Sequence, residues 1–153
     1  MLALIQRVKE ARVSVEDKTV SRIKSGLLVL LGIVNGDQLR DADYLAEKIV
    51  NLRVFPQENK DFDLSVKDIG GEILIVSQFT LAGDCRKGRR PSFSDAMSPE
   101  EAKKYYEYTT EILKKQVPVK TGIFGAHMDV SLINDGPVTL LVDSKKGAKK
   151  DEN

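Results

Sequence analysis

The sequence has a single cysteine, Cys85, which leaves no intramolecular disulfide framework and fits a reducing compartment. It has a single histidine, His127, so any mechanism that needs an imidazole base must use that residue. The longest apolar run extends only from Leu27 to Val34, far short of the ~20 residues that span a bilayer as a helix. The N-terminus lacks a cleavable apolar stretch with a small-residue exit, so no secretory signal is expected and the chain reads as cytoplasmic. Net charge is only +1, which argues against a strongly basic nucleic-acid wrapper. Gly32 and Gly36 lack the spacing of a dinucleotide site, and no P-loop lysine follows the required glycines, which disfavours nucleotide-dependent chemistry.

What is present suits one domain. The chain has 153 residues, 41% hydrophobic and 31% charged, enough for a single buried core. Leu2 to Val8 and Ala11 to Val15 read as strand, Glu16-Asp17-Lys18 as a turn, and Val20 to Ile23 as the return of a hairpin. Leu27 to Val34 is apolar on both faces, as in a central strand covered from two sides. From Asp41 to Arg53 the period changes, and Ala42, Leu45, Ala46, Ile49 and Leu52 share one helical face. Asn59 to Asp63 reads as loop, and Glu72 to Leu81 as a second buried strand. Ser98-Pro99-Glu100-Glu101 predicts a helix start with a capping box, the helix ending near Gln116. Met128 to Ile133 and Val138 to Val142 read as a closing hairpin around Asn134–Pro137. The expectation is an α+β single domain over 1–145, a mixed or antiparallel, barrel-like sheet with two main helices packed against it. The charged tail, 146–153, is expected to be disordered.

Two motifs hold the candidate chemistry: Ser77-Gln78-Phe79-Thr80-Leu81 and Asn134-Asp135-Gly136-Pro137-Val138-Thr139. Ser77, Thr80 and Thr139 carry hydroxyls, but a hydroxyl nucleophile needs a base, and the nearest groups in sequence are the Gln78 amide and the Asp135 carboxylate. Hydrogen bonding and packing are therefore favoured over nucleophilic attack. Asn-Asp-Gly between strands also fits an ordinary turn with Pro137 starting the last strand, since only about 5–6% of X–Pro bonds are cis. His127 and Asp129 share a face if both lie in a strand, but no third ligand stands at recognisable spacing, so a structural histidine is preferred to a metal ligand. Cys85 has cationic neighbours and no clear histidine partner, so an incidental cysteine is preferred to a catalytic thiol. Arg86, Lys87, Arg89 and Arg90 surround Gly88, with Lys103, Lys104, Lys114 and Lys115 downstream; the cluster fits either a phosphate backbone or a solvated loop.

Over nearly its whole length the chain resembles the D-aminoacyl-tRNA deacylases. The resemblance rests on Leu4-Ile5-Gln6-Arg7-Val8, Leu28-Val29-Leu30-Leu31-Gly32, the Ser77–Leu81 motif, Arg90-Pro91-Ser92-Phe93, Thr121-Gly122-Ile123-Phe124-Gly125-Ala126 and the Asn134–Thr139 motif, in that order. It implies a homodimer with active sites at the subunit interface, each using a cis Gly136-Pro137 from the partner chain to exclude L-amino acids. The implied reaction is hydrolysis of the ester joining a D-amino acid to the 3′ end of tRNA, with glycyl-tRNA also accepted and no cofactor or metal. Backbone N–H groups around Phe79 and Thr80 would bind the oxyanion, with Ser77 and Gln78 fixing the strand end and the ribose 2′-hydroxyl assisting; an older scheme makes Thr80 the nucleophile. By the same analogy Arg7 holds the Gly-Pro carbonyls, Phe124, Gly125, Ala126 and Met128 line the pocket, and the Arg86–Arg90 cations meet tRNA phosphates. Two rivals remain: a non-enzymatic RNA-binding module using that loop, and a thiol hydrolase using Cys85 and His127.

Overall fold

The structure, a computed structural model, describes residues 1–147. Strand β1 (Leu2–Val15) joins the two runs expected as strand, and turns at Glu16 and Asp17 into β2 (Lys18–Ile23). Both turn residues have positive φ, 49° and 61°, as a two-residue hairpin matching the strand twist requires. Strand β3 (Gly26–Gly32) pairs antiparallel with β1 and parallel with β6 (Glu72–Ser77), which is parallel in turn with β7 (Val119–Thr121). The parallel pairs need crossovers, and α1 (Leu39–Asn51) and α2 (Pro99–Lys114) supply them. The domain is therefore α+β with a mixed, nearly closed sheet, as expected from sequence.

Strand alternation divides the core. Leu27, Val29, Leu31, Ile73 and Ile75 face the helices, against Leu45, Ile49 and Leu113. Leu28, Leu74 and Val76 point the other way, into the barrel interior with Val8, Ala11, Val13 and Ile23. On β1 the helix-facing positions are Ala3 and Ile5, whereas Ala11 and Val13 face the interior, a change of parity that follows the register shifts around Val8. Arg7 continues the helix-facing set and is 9% exposed. That placement makes it the charged residue set deepest beside the Asn134–Thr139 motif.

Several sequence expectations need correction. Residues 55–64 are a small hairpin, β4 (Phe55–Gln57) and β5 (Lys60–Leu64), where a loop was expected from Asn59 to Asp63. Strand β6 stops at Ser77 rather than continuing to Leu81, and Phe79–Ala82 form a 3-10 turn. The expected closing hairpin is one strand, β8 (Asp129–Asp143), antiparallel to β1 throughout. The motif from Asn134 to Thr139 is an excursion from that strand and not a reversal. At α2, Ser98 makes no side-chain cap, and Glu101 instead accepts a hydrogen bond from Lys104 Nζ at 2.7 Å. A reciprocal carboxylate does occur at α1, where Asp41 accepts the Gln38 N–H at 2.8 Å. Ser144–Gly147 form the helical turn α3, in which Lys145 Nζ donates to Asp41 at 2.8 Å; the rest of the expected tail lies outside the described residues.

Candidate active site

The Ser77–Thr80 segment begins where the parallel ladder ends. Ser77 pairs with Leu31, and the Gln78 N–H still donates to the Leu31 carbonyl at 2.8 Å. Gln78, at φ −142° and ψ 77°, then turns the chain out of the sheet. The turn is closed by Leu81 N–H to the Gln78 carbonyl at 3.2 Å and Gly83 N–H to the Thr80 carbonyl at 3.0 Å. The N–H groups of Phe79 and Thr80 open this turn and, among the described residues, donate to no acceptor. Thr80 is exposed and its hydroxyl accepts from Gln78 Nε2. Among the described residues the hydroxyl's one side-chain contact is thus an amide donor, not a base. Phe79 is 57% exposed and stands edge-on to Phe93, with ring centroids 5.2 Å apart.

The loop after β7 leaves from the same end of the sheet. Thr121 pairs with Ile75, and the Gly122 N–H reaches the Ile75 carbonyl at 3.3 Å, so residues 122–126 run beside the end of β6. Phe124 tilts against Tyr106 at 5.6 Å, and the Tyr106 hydroxyl donates to the same Ile75 carbonyl at 3.0 Å. Burial pushes the Tyr106 phenol up to about 12, so it stays a donor at neutral pH. Gly125 has φ 77°, with open space where a side chain would stand. Met128 differs from its neighbours. Its sulfur accepts from the Ile123 N–H at 3.4 Å and would lie 2.6 Å from a Cβ at Gly122, while the side chain packs on the barrel core. It braces the loop from beneath.

The Gly136–Pro137 element lies elsewhere in the chain. Gln6 pairs with Thr139 and Val8 with Asn134, so Asp135, Gly136, Pro137 and Val138 bulge opposite Arg7 alone. The Gly136–Pro137 bond is cis, and both residues are exposed. Arg7 Nε donates to the Asp135 carbonyl at 2.9 Å and Nη1 to the Val54 carbonyl at 2.7 Å; its bonds reach the residue before Gly136, not the Gly-Pro carbonyls themselves. Arg7 pairs with Leu27, and Leu27 with Ile73, which is four residue steps before Ser77 on β6. Along the strands that is ~13 Å, and β1 and β3 intervene across the sheet at about 4.8 Å per step. Within one chain the two motifs do not meet.

The basic loop is a closed structure. Asp84 and Ser92 exchange backbone hydrogen bonds at 2.8 and 2.9 Å, and Gly88 has φ 69° at its tip. Arg86 folds back on Asp84, with Nε–Oδ1 at 2.9 Å and Nη2–Oδ2 at 2.7 Å, and these bonds lower the Asp84 carboxyl to about 2. Lys87, Arg89 and Arg90 are exposed and, among the described residues, have no carboxylate partner. The backbone bond of Asn35 to Asp95 and the Val34–Ala96 bridge tie the segment after this loop to the end of β3, the same sheet end as Ser77. His127 and Cys85 are both exposed, and no group of three metal-ligating side chains occurs among the described residues. Sequence reasoning missed Val54 as an anchor for Arg7 and Phe93 as the partner of Phe79. Phe93 belongs to the Arg90-Pro91-Ser92-Phe93 segment, but nothing local in the sequence signals its contact across the loop.

A family model described as D-Tyr-tRNA(Tyr) deacylase matches residues 4–143 of the chain. The chain belongs to this family. It is 62% identical over 147 residues to the D-aminoacyl-tRNA deacylase of Thermosipho africanus (strain TCF52B), covering 95% of this chain and 99% of that one. To the D-aminoacyl-tRNA deacylase of Thermotoga petrophila (strain ATCC BAA-488 / DSM 13995 / JCM 10881 / RKU-1) it is 54% identical over 147 residues, with coverage of 95% and 99%. Among solved structures it is similar to a "c-Myc DNA Unwinding Element Binding Protein", with TM-score 0.89 and 42% identity over 94% of this chain and 98% of that one. A structure titled as a probable eukaryotic D-amino acid tRNA deacylase shares the fold, with TM-score 0.79 at 17% identity, over 92% of this chain and 97% of that one.

Proposed function

We propose that the protein hydrolyses the ester of D-aminoacyl-tRNA, and of glycyl-tRNA, in the cytoplasm as a homodimer, with the Gly136–Pro137 element of one subunit completing the site of the other. The observation that carries this reading is the separation of the two motifs within one chain by the strand register. A second copy resolves it. Strand β8 pairs only with β1, so its outer edge is open among the described residues, and it exposes Ile133, Leu140 and Leu141 beside the motif. An open edge with apolar side chains is a pairing surface, and association there carries Gly136–Pro137 into contact with another subunit.

In the reaction, water adds to the ester carbonyl, and the resulting oxyanion is held by the N–H groups of Phe79 and Thr80, which lack other acceptors among the described residues. The bond to the ribose oxygen then breaks, and that oxygen leaves protonated as the tRNA terminus, with the neighbouring 2′-hydroxyl moving the proton. An aminoacyl ester is already activated, so positioning and oxyanion stabilisation suffice without a side-chain base. An L-side chain would project toward the Gly136–Pro137 backbone and be excluded sterically. Glycine carries no side chain and passes.

The deciding experiment is hydrolysis of D- and L-tyrosyl-tRNA by the purified protein, with glycyl-tRNA alongside. Cleavage of the D- and glycyl esters with the L-ester spared is expected. Cleavage of both enantiomers would leave an esterase without the filter. Turnover of none, with binding that falls steeply with salt, would select the non-enzymatic RNA-binding reading. Activity that survives Cys85→Ser would remove the thiol-hydrolase reading.

Thr80→Ala is expected to retain deacylation within about tenfold of wild type, because its hydroxyl accepts from Gln78 and, among the described residues, donates to no base. A loss of roughly a thousandfold in a folded variant would make the hydroxyl essential. Replacing Lys87, Arg89 and Arg90 together by alanine should raise KM for tRNA and lower the slope of log affinity against log salt by about two to three units. Arg86→Ala should change that slope least, since its charge is already matched by Asp84. An unchanged slope in the triple variant would place the phosphate contacts elsewhere.

A further inference from the structure

The excursion that carries Gly136 and Pro137 is tied across its base by one side chain. Asn134, the last residue before the chain leaves the β8 ladder, accepts the Val138 N–H through Oδ1 at 3.0 Å. Its Nδ2 donates to the Thr139 hydroxyl at 2.8 Å. Thr139 is the residue at which the ladder resumes, and Gln6 Nε2 on β1 donates to the same hydroxyl at 3.3 Å. Both ends of the excursion are thereby fixed to each other and to β1. Arg7, the next residue of β1, holds the Asp135 carbonyl inside the loop. Four bulged residues opposite one would otherwise have only the ladder at their two ends to set their position.

We propose that Asn134, acting with Thr139 and Gln6, is a positioning residue for stereochemical discrimination: it sets how far the Gly136–Pro137 backbone projects from β8. This rests on the reading above, in which that backbone excludes the L-side chain. A steric filter is sensitive to displacement in a particular way. Retreat of the excursion admits the L-ester, whereas the oxyanion donors at Phe79 and Thr80 sit in the 3-10 turn that follows β6 and are untouched. The signature of losing the clamp is therefore a gain in L-ester cleavage, not a general loss of rate.

Asn134→Ala removes both bonds. Asn134→Asp keeps them, because a carboxylate accepts the Val138 N–H and the Thr139 hydroxyl can rotate to donate to it. The experiment measures kcat/KM of wild type and both variants on D- and L-tyrosyl-tRNA. For Asn134→Ala the ratio of D- to L-ester kcat/KM should fall by about tenfold or more, the equivalent of one or two hydrogen bonds. The D-ester rate should stay near wild type, and Asn134→Asp should restore the ratio. A wild-type ratio in folded Asn134→Ala overturns the proposal, as does an equal loss of both rates. If Asn134→Ala does not fold, Thr139→Val decides, since it removes the hydroxyl from the other side of the same bond; a wild-type ratio there also overturns it. Failure of the underlying reading looks different, because the wild-type protein would itself then cleave both enantiomers alike.

Discussion

Gly136→Ala is expected to lower hydrolysis of D-tyrosyl-tRNA by about a hundredfold or more, because the added methyl group and the backbone shift it forces intrude on the space the substrate occupies, unlike a retreat of the excursion, which opens that space. The residue has φ 136°, a conformation that L side chains rarely adopt. A Cβ placed there would stand 2.9 Å from Val138 Cγ2 and 3.0 Å from both the Val138 nitrogen and Arg7 Nη2. None of these neighbours yields easily. Val138 is held by its N–H bond to Asn134, and Arg7 is a buried side chain bound to two carbonyls. The backbone must therefore move, at a cost of about 1–3 kcal/mol. Circular dichroism should show a folded variant, because the excursion hangs from β8 and the ladder on either side is intact. Thr139→Ala, which removes only a hydroxyl, should cost less than Gly136→Ala. Near-wild-type rates in both variants would mean that this backbone does not shape the site.

The sequence shows the fold best where one periodicity governs a whole element. The run Leu27 to Val34, apolar on both faces, is legible as a central strand because β3 does have helices on one side and the barrel interior on the other. The face of α1 is legible for a similar reason, since Ala42, Leu45, Ala46 and Ile49 are all buried against that strand. The end of β6 was not legible. Phe79, Thr80 and Leu81 have the composition of a strand, and only the absence of a further partner beyond Leu31 and Ser77 turns them into a 3-10 turn. Asn134 to Pro137 misled for the opposite reason. Asn-Asp-Gly-Pro is strong local turn chemistry, yet β1 is long enough to pair on both sides of it, so tertiary pairing makes a bulge of what would be a reversal. The loop cations were legible as a cluster, but Arg86 could not be set apart from its neighbours without the fold-back that brings it to Asp84.

Phe79→Pro compared with Phe79→Ala isolates a single backbone N–H, and the proline variant is expected to have a kcat about a hundredfold to a thousandfold lower than the alanine variant, the cost of one oxyanion donor. The comparison is clean because the local backbone tolerates proline. Phe79 is the first residue of a 3-10 turn, whose φ near −60° is close to the value that proline fixes, and its N–H has no acceptor within the described residues to lose. Gln78, at φ −142° and ψ 77°, is already outside the helical region that a following proline disfavours. Both variants lose the contact with Phe93, so that effect cancels between them. KM should differ little, because a donor aimed at the developing oxyanion binds the transition state more than the ground-state ester. Equal kcat in the two variants would leave Thr80 N–H as the sole donor at this turn. A change confined to KM would make the Phe79 N–H a substrate contact, and the oxyanion would then need another source of stabilisation.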